Sequence, residues 1–381
     1  MDKEKLNKDL FVPAKMDEEK SEKISRPSLS YWQDAWIRLR KNPGAIFGII
    51  VIIIIAMMAL FAPLMTSHGL NDQELTLSRL PPKVQGLEEI GFLRLDGTKS
   101  EVFEASTVEE AKQLALTRFT QTDLSNMEFD VKDEGDGSPE SAKVVGYFDA
   151  YADKNITEYY WFGTDTLGRD IFTRVWIGTR VSLLIALVAA MIDMLVGVAY
   201  GGISAYFGGR VDNFMQRIIE VLVGIPNLVV VILMIMVLDP GIMAIIIALT
   251  ITGWTGMARI VRGQVLKLKN QEFVLASRTL GSSHTRILTK HLIPNTVGMI
   301  IINTMFTIPS AIFFEAFLSF IGLGLQAPDA SLGTLINEGF KALQINPHIM
   351  IFPAIVMSLV MIGFNILADG LRDALDPKMR E

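Results

Sequence analysis

The side chains of this 381-residue chain that could do chemistry are few and far apart. Cysteine is absent, which excludes disulfides and thiolate metal sites. The four histidines, His68, His284, His291 and His348, show no H-E-x-x-H or similar ligand spacing. The stretch 133–139 is rich in Asp and Gly but lacks the spacing and closing Glu of a calcium loop. No G-x-x-x-x-G-K-[ST] motif occurs, so any ATP must be handled by another chain. With no constellation for covalent or acid–base catalysis, the chain reads as a non-enzyme without a metal or cofactor of its own. What remains is three carboxylates set in apolar runs: Asp193, Glu220 and Glu315. Charge is costly in hydrocarbon, so such groups are functional by default. Lining a pathway and pairing with an Arg or Asn of a partner helix are equally good uses for them.

The second chemically distinctive stretch is 272–295, EFVLASRTLGSSHTRILTKHLIPN. From Arg259 to Lys290 there are seven Lys/Arg against one acid, Glu272, an excess expected of a cytoplasmic loop. Phe273, Ala276, Leu280, His284 and Ile287 recur at helical spacing, and Gly281 followed by two serines allows a break and a fresh N-cap. The pattern predicts two short helices bent at Gly281 and stopped by Pro294. A structured loop of this kind serves to touch another protein, or lies amphipathically on the headgroups.

The elements that hold these residues are apolar. Half of the sequence is hydrophobic and the mean hydropathy is +0.37. Runs at 45–64, 181–206, 214–238, 242–260, 297–321 and 349–367 are each of spanning length. A kink is expected at Pro226, and Gly197, Gly201, Ala205 and Gly209 at four-residue intervals lay a small-residue stripe for close helix contact. Before the first run, 31–41 is a basic-aromatic interfacial segment, and 1–30 reads as a mobile charged tail. The segment 66–160 is polar, with alternating and helical patches that predict a small α+β insert. Between Thr66 and Arg180 there are 12 basic and 21 acidic residues, a net −9, which leaves +3 of the total −6 for the rest. This split predicts an acidic domain outside and basic loops inside, with both termini cytoplasmic, and gives no support for nucleic-acid binding. Asp165, Arg169 and Asp170, just before the second span, are close enough to pair as a structural brace.

Several motifs then carry a resemblance. Ala276, Ser277, Gly281 and Pro294 resemble the Glu-Ala-Ala…Gly…Ile-x-Leu-Pro loop of ABC importer permeases, with Leu275 and His291 in place of its Glu and Ile. WFGTDTLGRD at 161–170 is similar to a signature of the same family, through Gly163, Thr164, Asp165, Gly168, Arg169 and Asp170. So are Gly253-Trp254 with Arg259 and Arg262, the phrase EAFLSFIGLG at 315–324, and DGLRDALDP at 369–377. Together they resemble the C-type permease subunit of dipeptide, oligopeptide and nickel ABC importers. The stretch between Pro82 and Trp161 is a departure, because those motifs are normally near neighbours in the family.

The resemblance implies an all-α membrane protein, six transmembrane helices of the type I importer fold, to which the polar segment adds a small α+β insert between the first two. The chain is then expected to fall into four parts: the tail 1–30, the interfacial segment and first helix 31–65, the extracellular insert 66–160, and the permease core 161–381. Within that core, the loop 263–296 would couple to ATPase subunits through Glu272, Ala276, Arg278, Gly281, His284, Arg286 and Pro294. Implied partners are a second permease, two ATP-binding subunits holding ATP and Mg, an extracellular binding protein and membrane lipid, with peptides as cargo. Nickel or another small solute is the alternative cargo. An ATP-independent secondary transporter would need inverted repeats and discontinuous helices, neither visible in the sequence, and a sensor would need a signalling domain that is not apparent.

Overall fold

The computed structural model describes residues 30–87, 95–118, 128–136, 138, 140–154 and 156–375. The expected tail, apart from Ser30, lies outside the described residues, as do the C-terminal residues 376–381.

The first described element is α1 (Tyr31–Lys41), capped by the Ser30 hydroxyl, and Asn42 then both ends α1 and caps α2 (Pro43–Phe61). A three-stranded antiparallel sheet follows, from β1 (Thr98–Ala105), β2 (Glu128–Glu134) and β3 (Ala142–Asp149), with β3 in the centre. Helix α3 (Val108–Arg118) covers it, and a single turn, α4 (Ala150–Asp153), leads out. Phe103, Val144, Phe148 and Tyr151 pack there with Leu80 and Tyr160 from the flanking chain. The Tyr151 hydroxyl donates to the Pro81 carbonyl at 2.8 Å, so the sheet is tied to both segments that connect it to the helices.

The helical part comprises α5 (Ile171–Phe207), α6 (Gly209–Gly224), α7 (Asn227–Leu238), α8 (Ile242–Leu268), α9 (Glu272–Thr279), α10 (His284–Arg286), α11 (Val297–Phe320), α12 (Leu332–Ala342) and α13 (His348–Leu375). Among the described residues five helical stretches are long and apolar enough to cross a membrane, six if α6 and α7 count as one bent span. This agrees with the expected number of spans.

Four local expectations are corrected. Pro226 does more than kink a span: α6 and α7 meet at 81°, because Pro226 has no N–H to carry the helix ladder and stands before α7 in extended geometry. Helix α5 begins ten residues before the apolar run, at Ile171, since Asp170 caps it and its early charged side chains find buried partners. Pro294 does not stop a helix. A π-turn (Ile287–Leu292) and a 3-10 turn in which Pro294 is first carry the chain straight into α11, where a missing proline N–H is harmless. Gly209 starts α6 with φ +54° and leaves the stripe, and a Cβ there would meet nothing within 4 Å.

The rest of the stripe is used as expected. A Cβ on Gly197 would come within 2.8 Å of the Trp254 carbonyl, and one on Gly201 would strike the Ala258 carbonyl, so α5 and α8 lie backbone to backbone. Gly201→Leu is therefore expected to lower stability by about 1–3 kcal/mol, read as a drop in thermal midpoint of the purified protein. An unchanged midpoint would contradict this close packing.

Candidate functional site

Two regions gather the chemistry singled out in the sequence: the loop 263–296 and a cavity between helices. In the loop, Val274, Ile287 and Leu292 are fully buried against Ala205, Tyr206, Val261 and Val265. They give the loop a fixed seat on the ends of α5 and α8. Gly281 has φ +77°, a conformation that suits glycine, and its N–H donates to Arg278 O at 3.0 Å. The Ser283 hydroxyl then caps α10 through Arg286 N at 3.3 Å. Polar anchors add to the apolar ones. The Tyr206 hydroxyl and His284 Nδ1 lie 2.7 Å apart, and the Arg278 guanidinium sits 5.9 Å over the Tyr206 ring. Below them Asp212 and Arg262 form a two-pronged pair at 2.6 and 2.7 Å, while Lys269 Nζ donates to Ala205 O at 2.8 Å.

Thus His284 and Arg278, expected to face outward, also contact the span beneath. Glu272, Ala276, Arg286 and Pro294 are exposed, as is Gly281. At the bend Leu280 is 86% exposed, beside half-exposed Phe273 and Leu275. The seated loop thus presents an apolar tip with a basic surround.

The three intramembrane carboxylates separate into three situations. Glu220 is exposed and pairs with Arg217 at 2.8 Å. Glu315 is 0% exposed and accepts hydrogen bonds from Ser182 (3.1 Å), Ser319 (2.9 Å) and Ser331 (2.6 Å). Its partners are hydroxyls rather than an Arg or Asn, and together they join α5, α11 and the start of α12. Glu315→Ala would leave these hydroxyls without their acceptor, at an expected cost of about 1–3 kcal/mol, measurable as a lower unfolding temperature, with Glu315→Gln closer to wild type. Loss of activity without loss of stability would instead point to a pathway role. Asp193 alone lines a cavity, about 370 Å³ in volume, with Asn227, Thr252, Asn303, Thr307 and Ser310. Among these polar neighbours only Asp193 was visible as a candidate from sequence. Asn and Thr in apolar runs carry the same signal more faintly.

The signature 161–170 is a structural clasp. Gly163 and Gly168 both have φ +76°, and a Cβ on either would strike a carbonyl, of Leu80 and Glu74 respectively. Thr164 Oγ1 accepts from Leu80 N at 2.8 Å and donates to Leu77 O, which pins the turn at 75–80. Asp165 accepts from Arg169 Nε at 2.6 Å and from Arg174, and both arginines reach Glu338 of α12. Asp170 pairs with neither. Its carboxylate caps α5 through Phe172 N (3.2 Å), Thr173 N (3.0 Å) and the Thr173 hydroxyl (2.6 Å), and burial pushes its carboxyl above its ordinary value. Neither Arg174 nor Glu338 was a site candidate from the sequence.

The family model described as binding-protein-dependent transport system inner membrane component matches residues 197–381. That for the N-terminal transmembrane domain of oligopeptide transport permease C matches 30–82. A dipeptide transport system permease protein, DppC, of Bacillus subtilis (strain 168) is 42% identical over 97% of this chain and 93% of its own length. An oligopeptide transport system permease protein, OppC, of the same organism is 42% identical over 99% of both chains. The OppC of Escherichia coli (strain K12) is 31% identical over 94% of this chain and 95% of its own. A chain of the inward-facing MetNI methionine ABC transporter superposes with TM-score 0.45 and 19% identity over 53% of this chain and 96% of that one. Matches covering 97–99% of this chain run through the sheet, so it is shared with the Bacillus relatives and is not a departure peculiar to this sequence.

Proposed function

Because the chain belongs to the binding-protein-dependent inner-membrane permeases, in their dipeptide and oligopeptide permease C branch, we propose that it forms half of a channel importing peptides. The other half is a second, homologous permease. Two ATP-binding subunits, which hold ATP and Mg, drive the pair, and an extracellular binding protein delivers the cargo at a bacterial plasma membrane.

The observation that carries this reading is the loop: Leu280 and its basic surround project from buried Val274, Ile287 and Leu292. An apolar tip on a rigid mount is suited to docking in an ATPase groove. Glu272, Arg278, Gly281, His284 and Arg286 form that contact. Lys/Arg excess around the loop and acid excess in 66–180 support termini inside and the sheet outside. There the sheet is placed to meet the delivering protein. The broken pair α6–α7 is a feature that an ATP-independent transporter would also have. Membership in a family defined by dependence on a binding protein favours the ATP-driven reading.

Purification of the tagged chain from native membranes is expected to bring down a second permease and two ATPase subunits. Recovery of the chain alone, under conditions that keep it folded, would refute the assembly. The absence of cysteine makes sidedness a clean measurement. On intact cells an impermeant maleimide should label the Ser106→Cys variant and spare Ser283→Cys, and the opposite pattern would invert the topology.

A further inference from the structure

Asp193 stands near the middle of the apolar run 181–206 and is 6% exposed. Its Oδ1 is buried and takes no hydrogen bond. The carboxylate lies directly on the Cα of Gly253, where any Cβ would overlap both its oxygens, so the absence of a side chain at 253 makes its position possible. Among the described residues no Lys or Arg lines the cavity it shares with α7, α8 and α11. A buried carboxylate with no counter-ion is costly, and a cation that enters beside it relieves that cost.

The other polar groups of the cavity have largely spent their donors. The hydroxyls of Thr307 and Ser310 donate to carbonyls of their own helix at 3.0 and 2.9 Å. Thr252 Oγ1 donates to Asn227 Oδ1 at 3.0 Å, and Asn303 Nδ2 faces Met257 Sδ at 3.7 Å. Thr252, Thr307 and Ser310 thus present lone pairs inward, whereas the amides of Asn227 and Asn303 keep N–H donors. A carboxylate among acceptors suits a ligand that is cationic and rich in N–H donors. The volume of about 370 Å³ exceeds a bare ion by far and admits a small organic group. The break at Pro226 contributes by bringing Asn227, the first residue of α7, to the cavity wall.

We propose that the Asp193 cavity binds a primary ammonium group during transport, specifically the free α-amino end of a peptide. This rests on the peptide reading above and adds the group recognised and the residue that recognises it. Asp193 supplies the charge, and the Thr and Ser oxygens complete the shell. Neither of the other two carboxylates is available, since Glu315 is held by three serines and Glu220 by Arg217.

The whole complex with its binding protein is reconstituted in vesicles, and uptake of trialanine is compared with that of N-propionyl-dialanine, which lacks the amine. Asp193→Asn is expected to lower trialanine uptake about tenfold and that of the amine-free cargo no more than about twofold. Asp193→Glu should keep more trialanine uptake than Asp193→Asn. In parallel, the Ser310→Cys variant should react about tenfold faster with a cationic than with an anionic methanethiosulfonate, a preference that trialanine protection and Asp193→Asn both abolish. Equal losses for the two cargoes, or equal rates for the two reagents, overturn the amine site. So does loss of the partner permease from the Asp193→Asn complex, which would assign the carboxylate to the subunit interface. A wild-type complex that imports neither peptide overturns the peptide reading, and this proposal with it.

Discussion

Arg174→Met is expected to destabilise the folded chain by about 3–5 kcal/mol, the usual consequence of removing one member of a buried ion pair. Arg174 is 1% exposed and bonds Asp165 together with both carboxylate oxygens of Glu338, at 2.7 and 3.3 Å. Arg169 bonds the same two acids, so two cations balance two anions. Without Arg174, one cation is left for two carboxylates, one of them the buried Asp165. Methionine fills the volume but satisfies neither oxygen. Glu338 is more open to solvent, with its side chain 36% exposed, which places most of the loss at Asp165. The measurement is the thermal midpoint and yield of the purified complex, with a double-mutant cycle through Glu338→Gln. The pair should cost less than the sum of the singles. Additive costs, or an Arg174→Met protein as stable as wild type, would remove the network from the list of things that hold α5 to α12.

The second large effect belongs to the bend in the loop. Gly281→Pro asks for φ near −65° where the chain has +77°, and removes the N–H that caps α9 on Arg278 O. At about 3 kcal/mol, the native bend would be disfavoured about a hundredfold. A Cβ at 281 meets nothing within 4 Å, so the damage stays at the tip and spares the core. Membrane level and assembly of the spans should be near normal, ATP hydrolysis should continue, and peptide uptake should fall at least tenfold, in keeping with a shift of that size. Gly281→Ala, which pays only the left-handed strain of about 1–2 kcal/mol, should fall between. Normal coupling in the proline variant would show that the bend is not what links hydrolysis to transport.

Much of this fold is written in periodicity and hydropathy, because lipid-spanning helices leave no choice but long apolar runs. The misreadings have a common cause. Ile171 to Arg180 looks too charged to begin a span, yet Asp165 and Glu338 neutralise Arg174 from elsewhere in the chain, and Arg180 donates to Ala59 O at 2.8 Å. No local pattern announces a partner 164 residues away. Pro226 and Pro294 both stand between Ile and Asn, but one separates two helices that meet at 81° and the other opens a 3-10 turn that leads into α11. Tertiary seating decides between these outcomes. Helix α12 has a local signal, the capping box of Ser331 and Thr334 at its start, but it is too short and too polar to stand out beside the spanning runs on either side. For the site, charge was the readable signal. Asp193 stood out, while Asn227, Thr252 and Asn303 needed the fold to bring them together.

The unbroken path from His284 through the π-turn to Phe320 has a mechanical corollary. Nineteen residues separate His284 from Asn303, roughly 30 Å of helix. One end of this path is the exposed loop around Gly281, and the other forms one wall of the Asp193 cavity. A helix stores little slack along its axis. A tilt at the loop end can reach the cavity wall only along this path, and the π-turn and the turn at Pro294 are where it would bend.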